Sequence, residues 1–155
     1  MISDMRKLAL KQLSDYRNNN PGTCFDDLDF ILDMNSAYEL QDTVTDLRVT
    51  EGEEIIGYKV GCTGSGTTSQ FGMKGPIRGT LFDSELLRND VELDFNLFTN
   101  LSIEGEMAVT IGANGEIISA FPVIELHNFV FRAPIKTLPE LIANNGFNAG
   151  VVCPD

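Results

Sequence analysis

The chain has 155 residues, 43% of them hydrophobic, a mean hydropathy of −0.03 and no apolar run of membrane-spanning length. These values fit one folded unit with its own core and exclude a disordered chain. A net charge of −12 and a sequence pI near 4.3 argue against a nucleic-acid or anionic-membrane partner; an anionic small substrate would need a local positive centre.

The opening, MISDMRKLALKQLSDYRNNN, mixes charge with leucine at helical spacing and has no secretory-leader pattern. Asp4 to Arg17 reads as an amphipathic helix with Met5, Leu8, Leu10 and Leu13 on its apolar side. Asn18 to Gly22 stops it. CFDDLDFILDM follows as an acidic, turn-rich linker. Asp27 and Asp29 lack the third acid and the glycine that a calcium loop requires. Ser36 to Glu51 reads as a second helix, capped by Ser36 with Glu39 completing a capping box.

After Gly52 the pattern changes to strands. IIGYKVGC is one, followed by the glycine- and threonine-rich TGSGTTSQFG. RGTLFDSEL reads as a short strand and turn, VELDFNLF as a further extended stretch, and NLSIEGEMAVTIG as the clearest strand of all. Asn114-Gly115 marks a hairpin turn, and IISAFPVIELHNFVF returns as strand, with Pro122 interrupting any central ladder. Thr137 to Asn145 is a short helix capped by Thr137, and AGVV closes as a strand. No repeat or low-complexity segment occurs. The expected fold class is α+β within a single domain, helical over 1–52 and β-rich over 53–155.

The three cysteines, Cys24, Cys62 and Cys153, are odd in number and scattered, which fits reduced thiols in the cytoplasm. Gly64-Ser65-Gly66 lacks the spacing of a nucleotide loop. No spacing supports a Cys62–His127 nucleophile pair. Phe121, Phe129 and Phe131 read as core.

Two features carry chemistry. In SIEGEMAVTIG, Leu101, Ile103, Met107, Val109 and Ile111 fall on one strand face, with Ser102, Glu104, Glu106, Ala108 and Thr110 on the other. Two carboxylates about 4 Å apart repel by ~4 kcal/mol at an effective dielectric of 20, so solvent, a proton or a cation must relieve Glu104 and Glu106. A wet polar face is the plain alternative. Glu125 interrupts another apolar stretch, and His127 shares its face. If the Asn114-Gly115 turn folds the two strands together, three acids meet, and such a set suits Mg2+ or Mn2+ more than Zn2+. Lys59, in GYKVGC, either lies exposed at a sheet edge or points inward, where desolvation would make it a usable acid or base.

Taken in order, AYELQD, GYKVGCT, GPIRGTLF, IEGEMAVTIG, FPVIELHN and ELIANNGFNAGVV resemble the 2-keto-4-pentenoate hydratase branch of the fumarylacetoacetate hydrolase family, from Ala37 to Val152. The resemblance implies a mixed, barrel-like β structure preceded by helices. It implies Mg2+ or Mn2+ on Glu104, Glu106 and Glu125, proton transfer by Lys59, and a small anionic 2-oxo acid substrate. His127 joins Lys59 as a catalytic candidate, and Thr63, Leu81, Phe82 and Asn145 are the expected substrate contacts. The implied activity is a metal-dependent hydratase, a lyase of aromatic catabolism, acting on a 2-hydroxydienoate such as that of 2-keto-4-pentenoate. A related decarboxylase, an acylpyruvate C–C hydrolase and a non-catalytic, partner-dependent remnant of the fold are the alternatives.

Three features depart from the family's pattern. Pro76-Ile77-Arg78 stands where an acidic residue is usual, which removes a second proton-transfer group. His127 stands where an apolar residue is expected. The chain is also shorter than family members, which continue through further strands, so its sheet edges call for a second copy of the chain or a completing partner chain.

Overall fold

The computed structural model describes residues 2–73 and 75–154. Helix α1 (Ile2–Arg17) packs on α2 (Met34–Thr50), and the short α4 (Leu138–Ala143) closes against α2. Their shared core joins Ala9 and Leu13 of α1, Ala37, Leu40 and Leu47 of α2, and Leu141, Ile142 and Ala143 of α4, with Phe25, Ile77 and Phe147 filling its margins. This apolar cluster lies under the helices.

The strands form two sheets. β1 (Ile55–Gly61) and β2 (Ile77–Phe82) make an antiparallel pair. β3 (Leu86–Leu87), β4 (Leu101–Ile111), β5 (Ile117–Asn128) and β6 (Asn148–Val152) make a four-stranded mixed sheet in the order β3-β6-β5-β4. β3 runs parallel to β6, and the other pairs are antiparallel. The expected α+β class is observed.

Three local expectations change. The second helix begins at Met34 instead of at a Ser36 cap, because the Asp33 carboxylate accepts the Ser36 amide at 2.7 Å and caps the helix three residues earlier. The segment after β1 contains a helix, α3 (Ser65–Phe71), whose first turn is tied down by the Thr67 and Thr68 hydroxyls donating to the Gly64 carbonyl at 3.0 and 3.2 Å. VELDFNLF is not a strand: the Asp94 carboxylate accepts the Asn96 amide at 2.9 Å, an Asx-type contact that turns Phe95–Leu97 into a 3-10 helix.

The β4–β5 hairpin is as expected. Its tip holds Gly115 at φ 81°, and the Gly112 amide donates to the Glu116 carbonyl at 2.8 Å. Pro122 is tolerated because β6 pairs with β5 only from Ile124 to His127, so Pro122, opposite Met107, has a strand on one side alone. The apolar face of β4 lies outside the core: Ile103, Met107, Val109 and Ile111 are 64%, 65%, 47% and 55% exposed. Of the phenylalanines expected in the core, Phe129 and Phe131 stack edge-on around Phe147, and it is Phe147 that is fully buried. The three cysteines are free.

A buried ion network locks the helices to the sheets. The Arg48 guanidinium lies 3.6 Å from the centre of the Phe82 ring and pairs with Glu85 at 2.7 Å and Glu53 at 2.5 Å. Glu85 also accepts from the Tyr16 hydroxyl at 2.7 Å and the Asn148 amide at 2.6 Å. Burial and the Glu85 charge push the Tyr16 phenol well above its ordinary range.

Candidate active site

The site is built where the two sheets meet. The Asn128 side-chain carbonyl accepts the amides of Thr99 and Asn100 at 3.0 and 2.9 Å, fixing the start of β4 against the end of β5. In the register that follows, Glu104 stands directly opposite Glu125, Ser102 opposite His127 and Glu106 opposite Val123. One ligand-capable atom each from Glu104, Glu125 and His127 lie within 4.8 Å of one another. Glu104 and Glu125 are therefore brought together as expected. Glu106 is exposed on the same face, one pair further along, and does not belong to that cluster.

Lys59 reaches this cluster from the other sheet. Tyr58 and Val60, on either side of it, are 66% and 64% exposed, so strand alternation turns Lys59 inward. Of the two orientations open to it, the inward one is observed. Its Nζ lies 2.5 Å from Glu125 Oε1 and 2.9 Å from His127 Nε2, and it donates to the Gly146 carbonyl at 3.4 Å. The side chains of this pair are only 8% and 13% exposed. A charge this buried is stable only when paired, and Glu125 is the partner.

His127 is buried, and its Nε2 also lies 3.4 Å from Glu125 Oε2. Burial, and next the Lys59 charge, hold the imidazole below its ordinary pKa; Glu125 and Glu104 pull the other way without prevailing. The ring is therefore neutral near pH 7. An ammonium only donates, so Nε2 must accept from Lys59, which assigns the ring hydrogen to Nδ1. Among the described residues that buried Nδ1 has no partner.

The remaining expected contacts disperse. Thr63 is exposed beyond the end of β1, and Leu81 is half-buried on β2. Phe82 is buried beneath Arg48. Asn145 lies beside Gly146, but its amide is engaged with the backbone of Thr80. Arg78 turns away to α2, pairing with Asp42 at 2.8 Å and lying over the Tyr38 ring. An open cleft of about 860 Å3 runs between α2, α3 and α4, past Tyr38, Phe71 and Lys136, and none of the clustered groups lines it. The Gly146 carbonyl that Lys59 reaches was not legible in the sequence, because the contact spans 87 positions.

Two acidic oxygens and an imidazole nitrogen this close form a donor set that fits a divalent cation, with the carboxylates favouring a hard ion. The same face carries an amine and a neutral imidazole in mutual contact, a pair able to pass a proton.

No family model matches the chain. It is 30% identical to a 2-keto-4-pentenoate hydratase of Burkholderia vietnamiensis (strain G4 / LMG 22486) over 79 residues, 51% of this chain and 30% of that protein. It is 29% identical to a 2-keto-4-pentenoate hydratase of Paraburkholderia phymatum over the same length and the same shares. The match thus spans under a third of the length of these curated relatives. In three dimensions the chain is similar to 4-oxalocrotonate decarboxylase from Pseudomonas putida G7 complexed with magnesium and adipate. The TM-score is 0.81 at 20% identity, covering 98% of this chain and 62% of the other. The same enzyme complexed with calcium and acetate gives a TM-score of 0.79. In sequence the chain resembles 2-keto-4-pentenoate hydratases, and in fold it is similar to 4-oxalocrotonate decarboxylase, in keeping with the resemblance carried by its motifs.

Proposed function

We infer that the chain is a lyase that uses a divalent cation to act on a small 2-oxo or 2-hydroxydienoic acid, with hydration of a 2-hydroxydienoate as its reaction. The observation that carries this reading is the grouping of Glu104, Glu125 and His127, the last two in contact with the buried Lys59 ammonium. Mg2+ or Mn2+ is the fitting ion, held by Glu104 and Glu125, with Glu106 as the third ligand the resemblance implies. His127 also stands in ligand range, but its Nε2 is shared with Lys59, so this reading keeps it for proton transfer.

When bound, the cation withdraws electron density from the 2-oxo group and offsets the substrate's negative charge. That offset matters in a chain of net charge −12. The protein's own groups move the protons. Once Lys59 has released a proton, the His127 Nε2 lone pair that it occupied is free to take the enol O–H proton of the substrate. Lys59 Nζ gives a proton to the far carbon of the diene and regains one from His127, 2.9 Å away. Water then adds to the conjugated double bond. The reading carries with it a cytoplasmic setting, and a second copy or a completing chain over the exposed face of β4.

A second reading, decarboxylation of a related oxo-diacid, is favoured by one feature. Arg78 points to Asp42, so the segment where an acid is usual gives the site no second proton donor. Loss of carbon dioxide requires only one proton returned to carbon, which the Lys59–His127 pair supplies. The test runs both reactions. A conjugated dienoate should lose its absorbance in a reaction that needs Mg2+ or Mn2+ and stops in Lys59→Met. Carbon dioxide release from an oxo-diacid, with no loss of the dienoate, would select the second reading. Turnover that survives Lys59→Met would remove Lys59 from both.

A further inference from the structure

Asn145 follows the end of α4 at φ 55°, a left-handed conformation that asparagine adopts more readily than other non-glycine residues. Its side chain holds it there. The Thr80 amide donates to Asn145 Oδ1 at 2.7 Å, and Asn145 Nδ2 donates to the Thr80 carbonyl at 2.8 Å. The side chain thereby imitates one residue of a third strand laid along the open edge of β2, 65 positions away in sequence. Both polar ends of the amide are thereby tied to one backbone residue.

The clip also shapes the channel around Lys59. Gly79, next to Thr80, stands opposite Lys59 in the β1–β2 ladder. A Cβ on Gly79 would lie 2.8 Å from Lys59 Cγ and 3.0 Å from Asn145 Oδ1. Gly146, next to Asn145, is at φ 64°, and a Cβ there would lie 3.4 Å from Lys59 Cε. Its carbonyl accepts from Lys59 Nζ. The lysine stem thus runs between two glycine backbones, and the Asn145–Thr80 hydrogen bonds hold those two backbones together.

We propose that Asn145 is a positioning residue for Lys59: by clipping the Asn145-Gly146 turn to β2 it closes the channel that aims Nζ at the carboxylate face. Its catalytic consequence rests on the function inferred above; its effect on Lys59 does not. The amide touches no reacting atom. It acts through the path of the lysine stem, where a shift of about 1 Å is enough to cost roughly 10²-fold in rate.

The test uses Asn145→Gly, which keeps the left-handed backbone accessible and removes only the amide, with Asn145→Asp as a second variant that keeps the acceptor for the Thr80 amide. Lys59 acetylation is followed by mass spectrometry against exposed Lys7, and turnover is followed with Mn2+ present. In the parent Lys59 labels far more slowly than Lys7. In Asn145→Gly the Lys59 rate should rise severalfold, kcat should fall by roughly 10²-fold and KM should change little, with Asn145→Asp intermediate. A raised KM with intact kcat would make Asn145 a substrate ligand and overturn the proposal. So would parent-like labelling and kcat in both variants, or loss of the folded state in both. If the parent turns over no oxo acid while Asn145→Gly still unmasks Lys59, the positioning role stands and the functional reading falls.

Discussion

Glu104 and Glu125 stand directly opposite each other across the β4–β5 ladder, and Lys59 Nζ sits 2.5 Å from the second of them. Like charges in opposed positions destabilise a sheet by about 0.2–1 kcal/mol; here Glu104 is exposed to solvent and Glu125 is paired with a positive group reaching it from β1. Lys59 supplies one charge. A divalent cation would supply the rest.

The first prediction separates those contributions. Glu104→Gln removes the repulsion and should leave metal-free stability unchanged or raised by up to about 1 kcal/mol. The parent should gain about 2.7 kcal/mol with Mg2+ or Mn2+ at a hundred times its Kd, and Glu104→Gln should lose most of that gain. Thermal melts with and without the ion check both. A variant that melts earlier yet keeps the full gain would contradict the assignment.

Lys59→Met should bind the cation more tightly than the parent. The ammonium on Glu125 competes with any second cation for the same oxygen, and its removal leaves a buried carboxylate in need of one. Calorimetric titration with Mn2+ measures this without turnover. Weaker binding in Lys59→Met would mean that the lysine and the cation do not share Glu125.

Glu106→Gln divides the ladder register from the family resemblance. Glu106 faces Val123 and lies outside the Glu104–Glu125–His127 cluster. If the observed register persists with metal bound, this substitution should weaken Mn2+ binding far less than Glu104→Gln or Glu125→Gln. Equal losses in all three would mean that β4 shifts to bring Glu106 onto the ion.

Glu85→Ala should cost roughly 3–5 kcal/mol of unfolding free energy, because it leaves Arg48 short of one partner in a buried site. Denaturant melts measure it. The double variant Arg48→Met with Glu85→Leu should recover part of the loss, since it removes the stranded charge.

The acid limb of stability should depend on Glu53. Burial pushes its carboxyl upward, yet hydrogen bonds from Arg48 and Ser84 and the charges of Arg48 and Arg17 outweigh that effect and hold it below its ordinary value near 4.5. A carboxyl lowered in the folded state stabilises it above the unfolded pKa, and that stability is lost as pH falls through the folded value. Glu53→Gln should therefore be less stable than the parent at neutral pH, and the gap should narrow as pH drops below about 4.5. Unfolding curves across that range test it; a constant gap would mean the ionised form of Glu53 contributes nothing.

Elements with a strong local signal were legible in the sequence. The β4 alternation, the Asn114-Gly115 turn and the Thr137 cap each arise from a short stretch of chain, and each is found. Two of the acids on β4 and β5 meet because a tight hairpin fixes the register between them. What was not legible depends on contacts far apart in the chain. Spacing alone left the direction of Lys59 open, since β1 alternates two glycines with exposed apolar residues. The Asn145 clip spans 65 positions and leaves no trace in local pattern. The start of α2 moved because Asp33, read as part of an acidic linker, supplies the cap. In VELDFNLF, apolar spacing favoured a strand, and one Asx contact turned the chain instead.

Crystals soaked in Mn2+ and an oxalate-like mimic of a 2-oxo acid, recorded at the manganese absorption edge, test the central claim most directly. The account predicts an anomalous peak about 2 Å from carboxylate oxygens of Glu104 and Glu125, with the mimic on the ion and Lys59 Nζ turned from Glu125 toward it. A peak elsewhere, or none on that face while the mimic binds in the cleft between α2, α3 and α4, would contradict it.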